Sequence, residues 1–149
     1  MNGVIKFDMI KILIMGLPGA GKTTLASVLK NFLESNNKTV THLNADEVRK
    51  IHNDWDFTES GRIRQSIRMF HLAKVETSDF VIADFVAPLP EMRSNFSPDW
   101  IIWVDTITEG RFIDTNNVFV PPRFYDFKVT KQDAETFSKI IGNQIINSQ

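Results

Sequence analysis

Eight residues of this sequence, Gly16-Leu17-Pro18-Gly19-Ala20-Gly21-Lys22-Thr23, carry the spacing Gly, four residues, Gly-Lys-Thr. Glycines at those positions let successive backbone N–H groups turn inward around phosphate oxygens. Lys22 adds a point charge at the β/γ end, and the Thr23 hydroxyl can hold Mg²⁺. The chemistry is therefore the binding of a nucleoside triphosphate together with Mg²⁺. Asp46 is a second candidate, because a carboxylate opposite a phosphate loop can orient or deprotonate an acceptor hydroxyl. Its plainer use is to cap a helix starting beside it. Arg49 and Arg62 can clamp an anionic acceptor, whereas Arg64 and Arg68 read rather as solvated helix faces than as acceptor contacts. Phe57 offers a stacking face or a core side chain. Asp84 ends an apolar run as a metal-binding carboxylate would, or it serves a turn. His42, His52 and His71 show no ligand spacing and read as structural, and Trp55, Trp100 and Trp103 read as packing residues.

The elements that must position these groups are legible from periodicity. Ile12-Leu13-Ile14-Met15 leads into the phosphate loop as a buried strand. Thr24 to Leu33 repeats apolar residues at helical spacing, so Thr24 opens a helix whose N-terminus also faces the phosphates. Thr39 to Leu43 alternates as a second strand that delivers Asp46, followed by a short helix from Glu47 to His52 and a longer one from Thr58 to about Glu76. Phe80 to Val86 and Trp100 to Val104 are continuous apolar strands, and such strands are covered on both faces. Residues 106–122 lose all periodicity and read as a loop or short lid, in which Phe112 and Phe119 cover a base or anchor the loop. Tyr125 to Val129 is a brief fifth strand. A final helix opens at Thr130 or Lys131 with Ala134, Phe137, Ile140, Ile141 and Ile145 on one side. Residues 1–9 extend the first strand or hang loose.

Strands alternating with helices behind a phosphate loop predict an α/β, three-layer P-loop nucleotide-kinase fold with a mainly parallel five-stranded sheet flanked by helices. The 149 residues, 42% hydrophobic, suit a single domain spanning 1–149. A formal net charge of −1 gives no general attraction to nucleic acid or to an acidic membrane. The absence of cysteine removes disulfides, thiolate catalysis and cysteine-ligated zinc, and suits the cytoplasm. No apolar run approaches membrane-spanning length, and the start lacks the order of a signal peptide.

Four blocks, Gly16 to Thr24, Leu43-Asn44-Ala45-Asp46-Glu47-Val48-Arg49, Asp56-Phe57-Thr58-Glu59-Ser60-Gly61-Arg62 and Phe85-Val86-Ala87-Pro88, together resemble the adenylylsulfate (APS) kinases in order and approximate spacing. The resemblance covers roughly residues 10–106. It implies transfer of the γ-phosphate of ATP, with Mg²⁺, to the 3′-hydroxyl of adenylyl sulfate. It also implies an acceptor-side role for Asp46, an acceptor-anion role for Arg49, stacking on adenine by Phe57, and acceptor contacts from Arg62, Gln65 and Phe85. A homodimer is implied as well, with no interface identified. The sequence departs from the family at Asn44, Glu47, Gln65 and Ala87. Its lid, about 107–122, has Arg111 as its one basic residue. A lid so short of charge leaves open another hydroxyl acceptor, such as a nucleotide, a nucleoside or a modified base in DNA, or a nucleotide-dependent binding module without turnover.

Overall fold

The computed structural model describes residues 8–110 and 112–149. The reading of the first residues therefore lies outside the description up to residue 7, as does Arg111. The order of elements is β1 (Ile10–Met15), α1 (Lys22–Ser35), β2 (Val40–Asn44), α2 (Ala45–His52), α3 (Glu59–Lys74), β3 (Phe80–Asp84), α4 (Pro90–Phe96), β4 (Trp100–Val104), α5 (Ile113–Val118), β5 (Phe127–Val129) and α6 (Ala134–Asn147). The strands form one sheet in the order β2-β3-β1-β4-β5, and every pairing is parallel.

Alternation along β1 divides the core into two layers. Ile12 and Ile14 face Leu25, Leu29, Leu33, Ile141 and Ile145 from α1 and α6. Leu13 and Met15 face Val48, Met69, Met92 and Phe96 from α2, α3 and α4. With helices on both faces, all four of these β1 side chains are fully buried, which explains the unbroken apolar run. The register sets Asn44 beside Asp84 and Asp84 beside Ile14, so β1, β2 and β3 end together. Ligands of open parallel sheets bind in the crevice beyond those ends.

The sequence reading needs revision at several places. β3 ends at Asp84 rather than Val86, β5 spans only Phe127–Val129, and α6 opens at Ala134 behind an Asp133 cap rather than at Thr130 or Lys131. Pro88 and Pro90 mark not only the end of β3 but the start of α4, where Pro90 opens the helix and its missing N–H costs nothing. The lid contains a helix of its own, α5. Ile140, expected on the inner side of α6, is 54% exposed, and Ser138 and Gly142 take the buried positions instead.

Candidate active site

The chain leaves β1 and passes beneath the end of β4. At Gly16, with φ of 153°, a Cβ would lie 2.4 Å from the Val104 carbonyl oxygen, so the turn admits no side chain. The Lys22 ammonium donates to the Leu17 carbonyl at 2.9 Å, inside the loop. α1 starts at Lys22 without any side-chain cap, leaving the first N–H groups of the helix pointed into the cleft. Pro18, Gly19, Gly21, Lys22, Thr23 and Thr24 line a cavity of about 720 Å³, while Gly16, Leu17 and Ala20 shape the loop from behind.

Thr23 donates through Oγ1 to Asp84 Oδ1 at 3.0 Å. Asp84 is 3% exposed and also accepts from Asn44 Nδ2 at 3.1 Å and from the ring nitrogen Nε2 of His42. The strand-end carboxylate therefore belongs to the phosphate-loop site, and His42, read as structural, is one of its supports. A loop hydroxyl beside a carboxylate is a pair of hard oxygen donors, which fits Mg²⁺ held mainly by phosphate oxygens and water. Among the described residues no group of three or more His, Cys, Asp and Glu could hold a metal ion by itself, and that mode of binding needs none.

Asn44, not Asp46, caps α2, accepting from the Glu47 N–H at 3.0 Å. Asp46 in the first turn is thereby free of the capping duty the sequence allowed it, and its exposed carboxylate lines the cavity. Across the cleft, the Phe57 ring is 52% exposed and carries the Arg49 guanidinium 4.3 Å from its centroid and that of Arg62 at 5.5 Å. Arg49 is buried and donates through Nη1 to the Asp54 and Asp56 carbonyls at 2.9 and 3.2 Å. Burial lowers the proton affinity of Arg49 and of Arg62, in each case partly offset by a nearby carboxylate, Asp54 or Asp114.

Arg64 stays exposed, as a solvated face would, but both it and the mostly covered Arg68 are engaged with a carboxylate. Arg64 grips Asp54 through two N–H groups at 2.9 and 3.0 Å, and Arg68 adds a third contact at 2.8 Å. These bonds hold the Asp54 carboxyl well below the usual carboxylate range and fix the loop that presents Phe57. Gln65 lines the cavity, but its amide is engaged, donating to the Ala45 carbonyl at 3.1 Å and accepting from Arg68 at 2.7 Å. Phe85 also lines it while packing edge-on against Phe96. Trp55, read as a packing residue, is 51% exposed and faces the cavity, as does Phe112. Phe119 instead packs on the core beneath Arg93.

The lid is pinned at three points that its sequence did not advertise. Gly110 sits against the phosphate loop, where a Cβ would meet Pro18 at 3.0 Å, and its N–H donates to Asn116 Oδ1 at 2.7 Å. Arg62 Nη2 donates to the buried Thr115 hydroxyl at 3.1 Å. Arg93, 6% exposed, donates to the Ala87 and Pro88 carbonyls at 2.9 and 3.1 Å and to the Val120 carbonyl.

The sequence profile described as adenylylsulphate kinase matches residues 8–100. Over 102 residues the chain is 33% identical to the bifunctional enzyme NodQ of Rhizobium sp. (strain BR816), covering 66% of this chain and 15% of NodQ. It is 30% identical over 87 residues to the adenylyl-sulfate kinase of Bacteroides fragilis (strain YCH46), covering 56% of this chain and 43% of that protein. The chain thus spans less than half the length of either relative. Among solved structures, the APS kinase CysC of Mycobacterium tuberculosis, in complex with AMPPNP and APS, shares the fold with a TM-score of 0.78 at 16% identity. That superposition covers 93% of this chain and 98% of the other.

Proposed function

Because the chain belongs to the adenylylsulphate kinase family of P-loop phosphotransferases, we propose that it transfers the γ-phosphate of ATP to the 3′-hydroxyl of adenylyl sulfate. The observation that carries this reading is that the phosphate loop, Asp46 and the Arg49–Phe57–Arg62 stack line one cavity. The loop amides and Lys22 hold the β- and γ-phosphates. Thr23, with Asp84 behind it, would hold Mg²⁺, whose charge would offset that of the triphosphate. Phe57 stacks on the acceptor's base, and Arg49 and Arg62 offer charge to its anion. Asp46 orients the acceptor hydroxyl and takes its proton as the new O–P bond forms and the bond to the ADP oxygen breaks. Cysteine-free and dependent on ATP, the protein suits the cytoplasm, and no described helix is long and apolar enough to cross a membrane.

Labelled ATP and adenylyl sulfate test the reading directly. Labelled 3′-phosphoadenylyl sulfate is the expected product, and its absence from folded, ATP-binding protein discards the acceptor.

Asp114 favours a second reading. This lid carboxylate lines the cavity and acts on Arg62, so the acceptor side sets Arg49 and Arg62 against Asp46 and Asp114. Such a balance suits an uncharged hydroxyl acceptor, a nucleoside, with unchanged phosphoryl chemistry. The same label appearing on nucleosides, and not on adenylyl sulfate, selects it.

A further inference from the structure

Asn44 makes hydrogen bonds in two directions that no carboxylate could make together. Its Oδ1 accepts from the Glu47 N–H at 3.0 Å, closing the first turn of α2. Its Nδ2 donates to Thr23 Oγ1 at 3.1 Å and to both oxygens of Asp84 at 3.1 and 3.3 Å. Thr23 spends its own proton on Asp84, so its oxygen is left to accept, and Asp84 accepts throughout. Only a side chain with an acceptor at one fork and a donor at the other fits between them. The sheet register fixes this placement, since Asn44 and Asp84 are partners on neighbouring strands.

We infer that Asn44 is a positioning residue, locking the helix that carries Asp46 to the Thr23–Asp84 pair through one rigid amide. Acting on neither phosphate nor acceptor, it makes the oxygens on the metal side of the cleft and the carboxylate on the acceptor side move as one body. This rests on the kinase reading and is independent of which acceptor is used.

Capping alone and positioning are separated by Asn44→Ser. Serine caps a helix as well as asparagine does, yet its hydroxyl is too short to reach Thr23 and Asp84. In the full chain, ATP binding is followed by intrinsic tryptophan fluorescence in EDTA and in Mg²⁺, and exchange of the Glu47 amide is measured in parallel. Affinities in EDTA should agree within about twofold, because the loop amides and Lys22 are untouched. The gain in affinity on adding Mg²⁺ should shrink by about tenfold, the worth of one hydrogen bond to a charged group. Magnesium and ATP should slow Glu47 exchange in the wild type and leave it unchanged in Asn44→Ser, although that helix stays capped. Asn44→Thr, which caps but also falls short, gives the same comparison should the serine variant not fold. A serine or threonine variant with the wild-type Mg²⁺ gain and wild-type coupling to Glu47 overturns the inference and leaves Asn44 a cap. A wild type that binds ATP but does not phosphorylate adenylyl sulfate discards that acceptor and leaves this comparison intact.

Discussion

Replacing Arg93 by methionine removes the tether between the lid and the end of β3 while keeping an unbranched apolar stem in its place. The guanidinium is buried, meets no carboxylate within ion-pair distance among the described residues, and spends its N–H groups on three carbonyls, those of Ala87, Pro88 and Val120. Burial alone lowers its pKa to about 10, a measure of how unfavourably the charge is placed. Three hydrogen bonds from a charged donor are worth roughly 4–9 kcal/mol gross, but methionine also escapes the desolvation cost, so a net loss of about 2–4 kcal/mol is expected. In a domain of this size that lowers Tm by about 6–12 °C. The loss should also be local: the Val120 N–H, bonded to the Pro88 carbonyl at 2.7 Å, should exchange faster, and protease should cut within 107–122 before the rest of the chain. Thermal melting and amide exchange decide it. A variant melting within about 2 °C of the wild type, with an unchanged Val120 amide, would refute the tether.

Gly16→Ala drives a Cβ far inside van der Waals contact with the Val104 carbonyl, so the loop must shift. A misplacement of about 1 Å costs on the order of a hundredfold in rate, and kcat/KM for ATP should fall by that order in steady-state assays. Thr115→Val keeps shape but deletes the lid's hold on Arg62 at 3.1 Å. The acceptor KM should rise roughly threefold to tenfold with the ATP KM unchanged, and equal changes in both would contradict an acceptor-side role. Asp54 has its folded pKa depressed by Arg64 and Arg68, so its stabilisation is present above the unfolded value of 3.8 and is lost as pH falls through the folded one. Asp54→Asn should therefore be less stable at neutral pH, with the gap closing below about pH 4 in melts taken across the acid range.

Much of this architecture is written in local pattern. The phosphate loop, the buried strands and α1 follow from glycine spacing and apolar periodicity, signals that survive without knowledge of tertiary contacts. The α4 helix was hidden because its seven residues begin on a proline that also reads as a terminator. α5 was hidden because six mostly polar residues show no period. In the site, residue types marked Lys22, Thr23 and Asp46 as candidates, and all three line the same cavity. His42 and Arg93 act through partners 42 and up to 27 residues away, and a lone histidine or arginine gives no sign of such partners. Trp55, which reads as a packing residue, is 51% exposed, and Arg68, which reads as a solvated face or an anion contact, pairs with Asp54, since residue type does not say which side chains a folded loop engages.

The central claim is that Asp46 serves an acceptor hydroxyl across the cleft from the triphosphate, and Asp46→Asn tests it most directly. Nearly isosteric and on the rim of the cavity, the amide cannot take a proton. ATP affinity should stay within about twofold of the wild type while phosphoryl transfer falls by roughly 10²–10⁴-fold. Transfer at the wild-type rate, with ATP bound as before, would contradict the account.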